Sequence, residues 1–438
     1  MNARVIYPLL ILGLAGCEGG IETASEDQLN LSSAQAQPAS GSGISGSVSG
    51  TNFAGLVRKS VAESPSSAAG LASISASETR ITSEQSALRP QLGAETSLTS
   101  DGDTVPILRL SQIIYDGGQV NSRVTLRRLE STQAWLSELA EMSARSFAAV
   151  EAIIDLDRDR RLEGQAQENL DRISSVVADL QVRFDAGAGS VADTLAGQGV
   201  QSNAETELAQ ARTDVAFSEA TYVELFASRP GALPEIPRAP RLLGKTSSQM
   251  VERSPRLRTQ QQVSAVRAQE LAVTERSIRP TVAAILETDF DQGSIDDGAQ
   301  ARLGVDIPIY QGGLVNANIE TAKASLAQSK AIEEELRREI QRSLDQALEE
   351  TTSIAARLAS ARRAVKINDE ALDAARGQFD LGRGTFLQIL DALRELNTAQ
   401  VRVIRLEAQE RRAEYALLAV TGDILDALGV VQPANPNL

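Results

Sequence analysis

The chain has 438 residues, 42% hydrophobic, 23% charged and only 3% aromatic, with 14 prolines and no histidine. Without histidine, His-based triads, His general bases and most zinc or facial-triad iron sites are excluded, and no other catalytic or metal-ligand set stands out. A formal net charge of −15, from 43 basic and 58 acidic residues, argues against nucleic acid as a partner.

Residues 1–16 read as a signal segment. Arg4 carries a positive charge, Val5 to Leu14 is an apolar run too short to span a bilayer, and Leu14-Ala15-Gly16 leads into Cys17, the one cysteine of the chain. The segment resembles a bacterial lipoprotein signal. That resemblance implies cleavage before Cys17 and lipid on its thiol and amine, an anchor of the stable multi-chain kind. Glu18 follows rather than the aspartate that retains lipoproteins in the inner membrane, so the implied destination is the outer membrane. No other window is apolar enough for a transmembrane helix. Residues 17–51, rich in Ser, Gly, Ala and Gln, read as a flexible tether from that lipid.

The remainder is written twice. Glu63-Ser64-Pro65 returns as Arg253-Ser254-Pro255 and Arg89-Pro90 as Arg279-Pro280, both 190 residues on. Ile114-Tyr-Asp-Gly-Gly118 returns as Ile309-Tyr-Gln-Gly-Gly313, and Arg183-Phe-Asp-Ala-Gly187 matches Gln378-Phe-Asp-Leu-Gly382, both offset by 195. The first repeat covers 52–228, a Pro-rich linker 229–250, the second repeat 251–425, and a tail 426–438.

In chain order, Pro65 to Arg89 reads as a helix with proline in its first turn, stopped by Pro90. A period-2 region with Leu108, Leu110 and Ile114 opposite Arg109 and Ser111 reads as a strand pair. From Gly118 to Phe184 no proline interrupts, and a helix of that length reaches about 100 Å. Leu129, Leu136, Ser143 and Val150 fall seven apart, a coiled-coil spacing. The chain turns at Gly187 and returns as a helix over 190–228. The second copy repeats this: Ala301, Leu303, Val305, Ile307 and Ile309 on one strand face, Gln300, Arg302, Gly304 and Asp306 on the other, with Glu287 and Asp289 on the preceding strand. Pro308 suits an edge or a strand end. Its long helix carries Leu344, Thr351, Leu358, Val365, Leu372 and Phe379 at heptad spacing, and the return helix spans 385–424. Each short pair, stacked end to end, roughly matches the long helix. Trp135 reads as a seam residue, and Glu333 to Arg338 as an exposed face with near-neighbour ion pairs. Four strands do not close a barrel, for which ~8 is the small end, so several copies are expected to complete one.

These residues resemble the TolC family of outer-membrane efflux ducts over roughly 52–425. The motifs that carry the resemblance are the two Arg-Pro pairs, the entry Leu303-Gly-Val-Asp-Ile-Pro-Ile-Tyr-Gln-Gly-Gly313, and the tips. The first tip runs from Phe184 and Gly187 to Asp193, and the second from Phe379 and Gly382 to Gln388 and Asp391. The resemblance implies a mainly α fold with a membrane β-barrel portion. Long coiled-coil hairpins form an α-barrel, and a homotrimer supplies four strands per chain to a twelve-stranded β-barrel. It further implies that Asp391 is one of two aspartates narrowing the lower entrance, the other being replaced by Gln388. Asp193 would help latch the closed tip. The usual tyrosine and arginine partners are replaced by Phe379 and Gly384, leaving Arg383 as the candidate substitute. Acidic residues at 193 and 391 also suit the start of a returning helix on their own account.

Arg109, Glu287, Asp289, Arg302 and Asp306 are candidates for a polar lumen, or the wet face of a strand. The implied function is a passive, non-enzymatic conduit for efflux or type I secretion, working with a periplasmic adaptor and an inner-membrane pump. It needs no cofactor beyond the lipid on Cys17. The alternative is a lipid-anchored coiled-coil spacer without a pore, but a spacer does not require paired, alternating strands at matched places.

Overall fold

Proline and glycine recur at equivalent places in the two halves, and the same elements form between them. The computed structural model describes residues 44–98, 104–242, 246–289 and 300–436. The signal segment and Cys17 lie outside the described residues. The first half contains α1 (Asn52–Ala62), α2 (Pro65–Ser86), β1 (Gln91–Leu98), β2 (Thr104–Tyr115), α3 (Gln119–Asp185) and α4 (Val191–Phe226). The second contains α5 (Ser247–Arg253), α6 (Pro255–Arg276), β3 (Thr281–Asp289), β4 (Gln300–Asp306), α7 (Leu314–Asp380) and α8 (Phe386–Thr421), followed by α9 (Ile424–Leu428). Helices α2 and α6 both have 22 residues, α3 and α7 both 67, and α4 and α8 both 36. The internal repeat holds to the residue in these three pairs, whereas α1 has 11 residues and α5 seven.

The boundaries have local causes. Pro65 and Pro255 open α2 and α6 at the first turn, where a missing N–H costs nothing. Gly118 and Gly313 enter the long helices at φ of 81° and 87°, a left-handed conformation that a side chain would strain. Ahead of α3 the Asp116 carboxylate accepts from the Gly118 and Val120 N–H groups, at 2.8 and 2.5 Å, capping the helix. Short helices α2 and α4 lie along successive parts of α3, and α6 and α8 along α7. Helices α2 and α6 are somewhat shorter than the sequence spacing predicted, because residues 87–89 and 277–279 form turns. Helix α1, which the sequence did not single out, fills the junction: its Ser60 hydroxyl donates to the Leu225 carbonyl near the end of α4 (2.6 Å).

The largest core gathers at that junction. Phe53 and Val57 of α1, Ile153 and Leu156 of α3, and Tyr415 of α8 are essentially buried, and Ile424 and Leu425 of α9 join them. The Pro-rich linker crosses this core rather than hanging free. Tyr415 Oη donates to the Pro237 carbonyl (3.1 Å), and the Ala239 N–H to Glu414 (3.2 Å). The tether expected to run to residue 51 is docked from Ile44 onward. Ile44 is buried and bridges to Leu242, and the Val48 N–H donates to the Ala427 carbonyl (3.0 Å). Local composition could not show this, since the partners lie some hundreds of residues away. Trp135 is turned to the tail, donating from Nε1 to the Pro433 carbonyl (3.0 Å). Glu333, Glu334, Arg337 and Arg338 form the near-neighbour ion pairs expected, and Arg337 also reaches Glu252 of α5 (2.9 Å).

The halves differ in burial. Helix α3 packs along α6 and α8 as well as its own α2 and α4, whereas α7 packs along α5, α6 and α8 and meets α3 near the tip. Twenty-three residues of α3 are buried and only seven of α7, among them the heptad residues Leu344, Leu358 and Leu372.

At the junction, burial and then the neighbouring Asp423 carboxylate raise the Asp426 carboxyl above its usual range. A carboxyl so raised stabilises the fold fully below its unfolded pKa, and that stability is lost as pH rises through the folded value. Asp426→Asn imitates the protonated form. It is expected to add up to about 1 kcal/mol of stability at pH 7, and the gain should vanish as pH falls towards about 4. Denaturation at a series of pH values checks both.

Candidate functional site

Four strands pair in the order β1-β2-β3-β4, all antiparallel. The register places Leu92, Leu110, Leu286 and Ala301 in one row across the sheet, and Gly93, Arg109, Glu287 and Gln300 in the adjacent row on the opposite face. The first face is apolar and bare: Leu92 and Leu303 are about 70% exposed (68% and 70%), with Leu286 and Val305 also exposed. Among the described residues no helix is long and apolar enough to cross a membrane.

The polar face gathers the charges expected of it. Arg109 pairs with Glu287 directly opposite (2.5 Å) and diagonally with Glu95 (3.1 Å), and Arg302 pairs with Glu287 (2.9 Å). The result is an alternating string, Glu95–Arg109–Glu287–Arg302, with one member on each strand. Asp289 and Asp306 occupy strand positions of the same parity, at the ends of β3 and β4. Glu95 was not foreseen. Its strand alternates weakly, and only the register shows that it shares a face with Arg109. Strand β4 ends at Asp306, so Ile307 and Ile309, expected on its apolar face, follow it as unpaired chain.

At the other end of the helices lie the tips. Gly187 and Gly382 turn the chain at φ of 73° and 72°. The Ala188 N–H returns to the Arg183 carbonyl, and the Arg383 N–H to the Gln378 carbonyl, both at 2.9 Å. Gly189 and Gly384 follow, where a Cβ would approach Phe184 and Phe379 backbone to 2.8 and 3.0 Å. Ser190 then caps α4. Thr385 caps α8 in a capping box whose return arm is Gln388, its Oε1 accepting from the Thr385 N–H (2.8 Å). Gln388 is therefore a helix-capping residue in this chain. Asp193 lies in the first turn of α4, near the positive end of the helix dipole. Asp391 is exposed and paired with Arg394 one turn on (2.9 Å).

The two hairpins are joined near the tips by an apolar cluster of Ile173, Leu180, Leu372, Phe386, Leu390 and Leu393. Beside it, Arg183 of α3 reaches α7. Its guanidinium lies 4.3 Å from the centre of the Phe379 ring and 3.9 Å from Asp380. Arg383, the substitute latch residue suggested by the sequence, is exposed and makes no side-chain hydrogen bond or ion pair among the described residues. The cross-tip contact uses the arginine of the first tip motif, not the one after the second glycine. Its signal was visible in Arg183-Phe-Asp, where the second copy has Gln378, but its partner depends on how the tips are rotated.

Further from the tips, one face each of α3, α4, α7 and α8 lines an open groove of about 1350 Å³. Glu207 and Asp214 stand on the α4 side, Arg357 on α7, and Arg402 and Arg405 on α8. This wetted, charge-divided lining differs from the enclosed apolar pocket of a small-molecule site.

A family model described as outer membrane efflux protein matches residues 246–423. Over its second copy the chain is therefore similar to outer membrane efflux proteins. It is 26% identical over 334 residues to the outer membrane efflux protein BepC of Brucella suis biovar 1 (strain 1330), covering 74% of this chain and 73% of that one. Among solved structures, the outer membrane protein VceC of Vibrio cholerae superposes with a TM-score of 0.74 at 16% identity, over 84% of this chain and 96% of that one. CusC gives 0.76 at 16% identity, over 84% and 91%. The mainly helical fold with four antiparallel strands is the fold of these channels. The family match covers the second copy, where the strand-to-helix entry is most clearly written.

If the Arg183 contact holds the two tips together, Arg183→Ala should raise single-channel conductance several-fold while leaving thermal stability within about 1 kcal/mol, as befits an exposed pair. Arg383→Ala should change neither. Planar-bilayer recordings and melting curves on both variants decide it.

Proposed function

We propose that this protein acts as a passive conduit. Three copies join their sheets into one twelve-stranded barrel in the outer membrane, and the long hairpins continue the passage away from the bilayer. One observation carries this reading: the sheet is apolar on one face and charged on the other, and both its outer strands, β1 and β4, lack a second partner among the described residues. Edges of that kind are not stable against lipid unless they are closed. The polar face, with Arg109, Glu287, Asp289, Arg302 and Asp306, lines the passage. Lipid on Cys17 anchors each copy, and the tips, around Asp193 and Asp391, form its narrow end.

Nothing in the sequence supplies a nucleotide or redox site. Energy and cargo selection are therefore assigned to an inner-membrane pump and a periplasmic adaptor meeting the helices, in small-molecule efflux or in type I secretion. A pore-less spacer would have no use for an amphipathic sheet with a charged inner face.

The test is single-channel conductance of the purified, acylated protein in a planar bilayer. Uniform discrete steps are expected, with a larger step for Asp391→Ala. Silence from inserted oligomer of both proteins would overturn the conduit. Cys17→Ser is expected to abolish lipid labelling, and labelling that persists would contradict the anchor.

A further inference from the structure

The repeat makes one contact inside the chain whose counterpart is missing. Arg279, from the second Arg-Pro pair, packs on the first Gly-Gly turn. Its Nη1 donates to the Gly117 carbonyl at 2.6 Å, and the Gln119 side-chain amide donates to the Arg279 carbonyl at 3.0 Å. A Cβ on Gly117 would lie 2.6 Å from the Arg279 Cβ, so glycine is needed there for close approach as well as for its φ of 63°. The equivalents are Arg89, 190 residues earlier, and Gly312, 195 residues later. Gly312 keeps the conformation, with φ of 61°, yet nothing lies within 4 Å of where its Cβ would be. Arg89 is exposed and makes no side-chain hydrogen bond or ion pair among the described residues.

The sheet repeats the pattern. Strand β2 runs to Tyr115 because its last residues pair with the start of β3, with Tyr115 opposite Val282. Strand β4 stops at Asp306, the counterpart of Ser111, and the counterparts of Gln112 to Tyr115 are Ile307 to Tyr310. Those residues lack a neighbour: Ile309 is 90% and Tyr310 86% exposed. The helices agree, since Ile153 of α3 is fully buried while its counterpart Leu348 on α7 is exposed. Gly312, Ile307 to Tyr310 and Leu348 are the second copy's equivalents of first-copy residues that meet the second copy, and Arg89 is the first copy's equivalent of Arg279, which meets the first.

We propose that copies of the chain join through the same contact that joins the two halves, with Arg89 of one copy docked on Gly312 of the next. This rests on the assembly reading above, but it also commits to a register. Inside the chain Ser111 faces Ile285. Applying the repeat offsets, Asp306 of one copy faces Glu95 of the next, and Tyr310 faces Leu92. Strand β4 thereby extends to Tyr310 on assembly. Simple charge pairing would instead set Arg302 beside Glu95. The two registers differ by four residues, roughly 13 Å along a strand, so they are mutually exclusive.

Cysteine crosslinking separates them in the full-length protein in detergent or bilayer. The pair Glu95→Cys with Asp306→Cys is expected to give covalent dimer and trimer on mild oxidation, reversed by reductant, because directly opposite residues lie within disulfide reach. Glu95→Cys with Arg302→Cys should not. The parent chain, whose one cysteine is Cys17, is the blank. Arg89→Ala is expected to cut the fraction of oligomer surviving mild denaturant several-fold, without loss of helix content. Oligomer that forms but crosslinks only through position 302, or that is indifferent to Arg89→Ala, would overturn the proposal while leaving assembly intact. A chain that stays monomeric in the bilayer would overturn both.

Discussion

A backbone N–H or C=O that faces hydrocarbon without a partner costs several kcal/mol, and a four-stranded sheet leaves two such rows. In this chain the sheet carries exposed leucine and valine on one face and an alternating string of Glu95, Arg109, Glu287 and Arg302 on the other. Neither face suits the environment of the other, and neither outer edge is paired among the described residues. The proposed membrane placement, assembly and water-lined interior all rest on that sheet. Charged side chains on the inner face are tolerable only where water remains, which a closed barrel provides.

The helical part relaxes the same constraint over a longer distance. Two long helices, each flanked by two short ones, bury little in the way of large aromatic core; most of the contact is shallow, between Ala, Ser and Leu faces. Stability is concentrated at the junction, where α1, α9 and the Pro-rich linker wrap around the middle of α3 and the end of α8. The tips are held differently, by one apolar cluster and the exposed Arg183 contact. Strong packing at the middle and weak, exposed contacts at the ends is the distribution expected where the ends must move.

Much of this was legible in the sequence because proline and glycine mark it. Pro65, Pro90, Gly118 and Gly187 recur at fixed offsets, and they delimit helices whose lengths then agree residue for residue. What remained hidden depends on contacts between distant segments. Ile44 and Val48 sit in a Ser/Gly-rich stretch that locally resembles a tether, yet they dock on Leu242 and Ala427. Glu95 belongs to a weakly alternating strand and is revealed by register alone. Gln388 was read as a replaced gate aspartate, although Thr385 three residues before it writes a capping box that the structure uses. Arg183 could be seen, but its reach to Phe379 and Asp380 depends on the rotation of two hairpin tips.

The central claim is that the outer strands are completed by other copies of the chain. Amide hydrogen exchange of the bilayer-reconstituted protein, resolved to individual strands, measures this directly. The account predicts that β1, β4 and the residues up to Tyr310 are protected as strongly as β2 and β3. Rapid exchange confined to β1 and β4, with β2 and β3 protected, would show open edges and contradict it.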